Sequence, residues 1–146
     1  MALPEFPDTT TKAFGVLAFD YGTQWIGLAH GQSVTGTAQA LSAIKARDGV
    51  PDWEQLEKII RQWQPAMFVV GVPYHLDGSR TPLCDRVEKF ARRLNGRFNL
   101  PCYGIDEKLS SVAAEELQKD DRKASLDSLA AKIILENWFA SLKSRG

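Results

Sequence analysis

Apolar residues gather in short unbroken runs early in the chain and in helically spaced sets later. Residues 14–19 and 25–29 are two apolar runs flanking the turn Tyr21-Gly22-Thr23-Gln24. Unbroken runs of this length read as strands buried on both faces, and the glycine-containing turn makes them a hairpin. Residues 34–44 are a third extended stretch, in which Thr35, Thr37 and Gln39 alternate with Gly36, Ala38 and Ala40. Small residues on one side of that strand let a helix pack closely. Asp48-Gly49-Val50-Pro51 reads as a turn, after which Asp52 caps a helix to about residue 64. Trp53, Leu56, Ile59, Ile60 and Trp63 give that helix one apolar face, and Pro65 ends it.

The second half alternates strand and helix. Residues 66–72 form a continuous apolar run, and a loop-rich stretch, 71–80, follows. Thr81 and Pro82 open a helix that the pair Asn95-Gly96 should stop near residue 94. Residues 100–105 are a further strand, followed directly by Asp106 and Glu107. Ser110 or Ser111 opens a short helix through about residue 117, residues 118–123 are a charged connection, and Ser125 caps a last helix over 126–142. Three strands in a meander, then strands separated by helices, predict an α/β domain. Its sheet is mixed and five-stranded: strands 1–3 antiparallel, 4 and 5 parallel, helices on both faces. The domain should span 13–142, between a flexible tail at 1–12 and a short one at 143–146.

Composition adds limits. The 146 residues carry 18 basic and 18 acidic side chains, so no global charge points to nucleic acid, although a local basic stripe would suffice. Cys84 and Cys102 belong to no paired motif and read as reduced packing thiols. No apolar run nears the ~20 residues of a membrane span, and the N-terminus lacks a basic-then-apolar leader pattern. These features predict a cytoplasmic protein that meets no membrane.

Three acids stand out by position. Asp20 ends the first strand, Glu107 follows the fifth, and Asp127 lies in the first turn of the last helix. Asp127 shares a helical face with Ala130, Ala131, Ile134 and Trp138, which is the stripe that should pack on the sheet. Each acid also has an ordinary reading: Asp20 as a turn former, Glu107 as an exposed loop acid, Asp127 as a partner of the helix dipole. Strand ends and a helix N-terminus can meet in one cleft. Three carboxylates there would repel one another unless divalent metal lay between them. Mg²⁺ or Mn²⁺ suits an all-oxygen site, and two such ions serve phosphodiester cleavage.

Other residues offer support. In the 71–80 loop, Gly71 permits close backbone approach, while Ser79 and Arg80 can contact phosphate; an ordinary strand-to-helix loop is the alternative, with His75 a surface residue. Arg86, Lys89, Arg92, Arg93 and Arg97 make the following helix the most basic region, as a solvated face or a phosphate track. Trp53, Trp63 and Trp138 sit on apolar helical faces, and Trp25 lies near the first turn, partly exposed.

An ordered set of motifs resembles the YqgF/RuvX family: Phe19-Asp20-Tyr21-Gly22-Thr23 with Ile26-Gly27, Val70-Gly71-Val72-Pro73, Asp77-Gly78, Asp106-Glu107-Lys108-Leu109-Ser110-Ser111, and Leu126-Asp127-Ser128-Leu129-Ala130-Ala131 with Ile134-Leu135. Members are described as pre-16S rRNA nucleases and, in older naming, Holliday junction resolvases. The resemblance implies an RNase H-like fold and a metal-dependent nuclease whose acids are Asp20, Glu107 and Asp127. It implies pre-rRNA, met on ribosomal precursor particles, as the substrate; branched DNA and non-catalytic RNA binding are the alternatives. Lys108 stands where the family usually has Arg, keeping a cation for phosphate without the bidentate fork. The connection over 119–125 is shorter than in many relatives and holds two acids. Gly22 and Thr23 would leave room for a phosphate beside the metals. The Asp-Tyr-Gly-Thr motif also resembles the phosphate loop of actin-like ATPases, but those need a second domain for which this chain has no length.

Overall fold

The computed structural model describes residues 3–6, 13–107 and 126–145, with backbone alone for 126, 127, 144 and 145. The predicted helix at 110–117, the charged connection, Ser125 and Lys108 lie outside the described residues.

A six-stranded sheet runs in the order β4-β3-β2-β1-β5-β6. Strands β1 (Gly15–Asp20), β2 (Trp25–Gln32) and β3 (Thr37–Arg47) form the antiparallel meander. Strands β5 (Met67–Val72) and β6 (Cys102–Asp106) add to β1 in parallel. The expected five strands become six because β4 (Val50–Pro51) pairs back on Ala46 and Arg47. Asp48 and Gly49 take positive φ angles of 51° and 82° and close the two strands with a tight turn. Two residues, one of them proline, show no strand period, so the pattern of apolar positions reads only the turn.

Helix α1 (Trp53–Trp63) starts where Asp52 accepts hydrogen bonds from the Glu54 and Gln55 amides. Helix α2 (Pro82–Phe98) passes through Asn95-Gly96, where the sequence predicted its end. Asn99 supplies the left-handed residue instead, at φ 56°, and its N–H reaches the Asn95 carbonyl. Helix α3 (Leu126–Arg145) runs three residues beyond the predicted 142.

Strand alternation sorts the core into two layers. Leu17, Phe19, Phe68 and Val70 face α1 and α2, while Val16, Ala18 and Val69 face Ile134, Leu135 and Trp138 of α3. Leu17, Phe19 and Trp138 are fully buried. Each such aliphatic or phenyl side chain contributes roughly 1.5–3 kcal/mol relative to exposure. Residues 3–6, expected within a loose tail, dock on this core. The Pro4 carbonyl accepts from the Gly104 amide at 2.9 Å. The Trp138 indole donates to the Glu5 carbonyl at 2.6 Å, and Phe6 stacks on that indole. Among the described residues no helix is long and apolar enough to cross a membrane.

Candidate active site

The C-terminal ends of β1 and β6 bring two of the three singled-out acids together. Asp20 is the last residue of β1 and lies directly across from Gly27 of β2. Glu107 follows β6, and its amide extends the β5–β6 ladder by donating to the Val72 carbonyl at 3.2 Å. The alternation that turns Val16 and Ala18 toward α3 gives Asp20 the same face. It gives Glu107 the face of Tyr103 and Ile105. The Asp20 and Glu107 side chains are hydrogen-bonded to each other. Burial pushes the Glu107 carboxyl above its ordinary range; the bond from Asp20 pulls it down, and the nearby charge of Asp106 adds to the rise.

A backbone gap makes room for this pair. A β-carbon placed on Gly71 would stand 2.6 Å from Ile134 Cδ1 and 2.8 Å from Glu107 Oε2. Gly71 therefore permits close approach of the glutamate and of α3, not only of a ligand. Across the sheet, Gly27 leaves the flank of Asp20 without a side chain.

The first turn of α3 is fixed beside Asp20. Ser128 is fully buried, and its Oγ accepts from the Leu28 amide at 3.3 Å, where the β2–β3 register shifts. Leu28 follows Gly27, the cross-strand partner of Asp20. Asp127 precedes Ser128 in the helix; its side chain lies outside the described residues. Ala130 and Ala131 are buried, so this end of α3 lies close on the sheet. Sequence reasoning named Ser128 only within the family motif and gave it no role. Its signal was a small hydroxyl beside the apolar stripe of a helix that packs on a strand.

The predicted phosphate contacts occupy two loops. Gly22 is required by its turn, since a β-carbon there would approach the Trp25 carbonyl to 2.4 Å. Thr23 is exposed, and its carbonyl accepts from the Gly49 amide at 2.9 Å. Ser79 donates through both its amide and its hydroxyl to Asp77 Oδ1. Arg80 donates to Glu88 at 2.6 and 3.1 Å and to Asp85 at 2.6 Å. Glu88 is only 2% exposed, so Arg80 neutralises a buried carboxylate and pins the loop to α2.

Two carboxylates in contact repel once both ionise, and a proton or a cation between them relieves the conflict. The donors are all oxygen, which fits a hard divalent ion held by Asp20 and Glu107. Among the described residues no set of three His, Cys, Asp or Glu side chains is arranged to hold a metal. Asp127 falls outside that statement.

The family model RuvX, described as "Holliday junction resolvase", matches residues 15–141. The chain belongs to the RuvX family. It is 52% identical to a protein of Actinobacillus pleuropneumoniae serotype 5b named "Putative pre-16S rRNA nuclease", over 85% of this chain and 95% of that protein. A Pseudomonas paraeruginosa protein of the same name is 50% identical, over 86% and 91%. T. thermophilus RuvC, solved in complex with Holliday junction substrate, superposes with a TM-score of 0.54 at 15% identity, covering 90% of this chain and 96% of that one. The fowlpox virus Holliday junction resolvase gives 0.52 at 14%, covering 87% and 99%. At these identities the two structures share the fold, an RNase H-like α/β sheet. As a RuvX-family member the protein is a nuclease, and its substrate is nucleic acid.

Proposed function

We propose that this RuvX-family nuclease is a divalent-metal-dependent endonuclease that matures the 5′ end of precursor 16S rRNA. One observation carries the mechanism: Asp20 and Glu107 meet as a hydrogen-bonded carboxylate pair at two strand ends. The substrate is drawn from the naming of relatives that match nearly the whole chain. The reading implies a cytoplasmic protein that meets its substrate on ribosomal precursor particles.

Asp20 and Glu107 would hold the metal, with Asp127 completing the set from the first turn of α3. Mg²⁺ or Mn²⁺, as two ions, would supply an activated water and stabilise the leaving oxygen. The chain's own contribution is to fix the acids. Gly71 gives Glu107 its space, Ser128 fixes the helix that carries Asp127, and Gly27 leaves Asp20 open to a phosphate. Gly22 and Thr23 would line the approach, and Lys108 would add a cation for the phosphate. Ser79 and Arg80 shape the rim through the loop contacts described above. Cleavage of branched DNA is the second reading, favoured by the family description.

The test offers precursor 16S rRNA and a four-way DNA junction, each with Mg²⁺ or Mn²⁺, to the wild-type protein and to Asp20→Asn. The wild type should cut the rRNA and the variant should not. Both metals should raise the melting temperature of the wild type and leave the variant unmoved. Cleavage that persists in the variant would remove the mechanism. Cutting of the junction alone would replace the substrate.

A further inference from the structure

A second cleft opens at the same end of the sheet, on the opposite face. Tyr21, Asp48, Gly49 and Val50 line it from the β-turns, and Arg86, Lys89, Phe90 and Arg93 from α2. Its volume is about 240 Å³. We propose that this cleft binds phosphates of the substrate strand next to the scissile one. The proposal rests on the nuclease reading and extends it to how the strand is gripped.

Arg86, Lys89 and Arg93 recur at helical spacing, so one face of α2 presents three cations along ~10 Å of its axis. In a chain of zero net charge this is a local concentration. Arg86 is held in place: its Nη2 donates to the Asp48 carbonyl at 2.7 Å and to Oδ1 at 3.1 Å. That ion pair uses the one acid among the described residues that line the cleft. Lys89 and Arg93 are exposed and enter no ion pair among the described residues.

The floor is built rather than incidental. The Tyr21 hydroxyl donates to the Gly49 carbonyl at 3.1 Å. Gly49 has φ +82°, and a β-carbon there would collide with the tyrosine oxygen at 1.8 Å. The tyrosine ring packs on Phe90, with centroids 5.1 Å apart. Cations over a rigid aromatic floor, whose tyrosine hydroxyl is already engaged by the Gly49 carbonyl, suit a sequence-independent backbone contact.

Position ties the cleft to the chemistry. Tyr21 follows Asp20, and the chain passes at that point from the α3 face to the α2 face of the sheet. A strand whose scissile phosphate lies at Asp20 and that crosses the end of β1 arrives at Tyr21, Lys89 and Arg93. Arg92 provides a natural contrast. It is equally exposed and adjacent in sequence, yet it lines a different hollow with Leu3, Pro4 and Tyr103.

The experiment compares wild type, the double variant Lys89→Gln/Arg93→Gln, and Arg92→Gln. Anisotropy measures binding of a labelled single-stranded RNA oligonucleotide between 50 and 200 mM salt; steady-state kinetics measure cleavage of precursor rRNA. The double variant should weaken binding and raise KM by about tenfold, with kcat within about twofold, and should lower the salt slope by ~1.4, or ~0.7 per lost contact. Arg92→Gln should match the wild type. Unchanged binding in the double variant, or an equal loss in Arg92→Gln, would overturn the proposal. Oligonucleotide binding that depends on Lys89 and Arg93 in a protein that leaves rRNA uncut would keep the cleft and remove the substrate assignment.

Discussion

Gly71 and Glu107 occupy one space: the β-carbon that Gly71 lacks would lie 3.0 Å from Glu107 Cβ and 2.8 Å from its Oε2. A carboxylate at the end of β6 can lean over β5 toward Asp20 only because β5 has no side chain at that point. Gly71→Ala should therefore leave the sheet intact and move the acid. The expected stability cost is about 1–3 kcal/mol, as for other overpacked sites. Cleavage should fall further, by ~10- to 100-fold, because a misplacement of about 1 Å is enough for such a loss. Urea unfolding and kcat on the same samples separate the two effects. A variant that is destabilised but fully active would show that Glu107 is free to move without consequence.

Arg80 makes its contacts inside the protein. Its guanidinium bridges the buried Glu88 and the exposed Asp85, and both hydrogen bonds push its pKa up. Arg80→Ala leaves Glu88 buried without its cation, so the melting temperature should fall and amide exchange in residues 73–80 should quicken. Replacing Glu88 as well, with glutamine, should restore part of the lost stability, because the unpaired charge is gone. If Arg80→Ala instead raised KM with no loss of stability, the arginine would belong to the substrate.

His30 makes stability depend on pH. It is 6% exposed, stacks on Trp63 at 4.6 Å, and its Nε2 has no hydrogen-bond partner among the described residues. Burial lowers its pKa below the ordinary 6.5. The folded protein therefore keeps His30 neutral while the unfolded chain takes up a proton. Stability should be level above pH ~7.5, fall as pH drops through 6.5, and level off below the lowered folded value. The slope should not exceed about 1.4 kcal/mol per pH unit for one proton. Urea titrations at pH 8 and pH 5.5 measure it. His30→Leu should abolish this component, and His75→Asn, in the exposed loop, should keep it.

Element order was legible because burial on both faces leaves unbroken apolar runs, as in 66–72 and 14–19. Boundaries were harder where two residues compete for one role. Asn95-Gly96 is a good helix stop, but Asn99 takes the left-handed conformation equally well, and α2 continues to it. Strand β4 has no period to detect. Asp20 and Glu107 were visible as acids at strand ends, which follows from local pattern. Their companions were not. The role of Gly71 depends on a glutamate from another strand, and that of Ser128 on an amide one hundred residues away in sequence. For Arg80 the sequence offers only a cation in a loop, because only folding reveals that Glu88 is buried beneath it.

The docked residues near the start of the chain also decide how the sheet ends. β6 is the outermost of the described strands, and an open strand edge invites another molecule to pair with it. Residues 3–6 cover that edge at Gly104 with a proline, which accepts one hydrogen bond but has no N–H to offer the next strand. The segment thus takes up the Gly104 amide, which a strand of another molecule could otherwise pair with. A shortened chain beginning at Ala13 would lose the Glu5 acceptor of the Trp138 indole and the Pro4 acceptor of the Gly104 amide on β6.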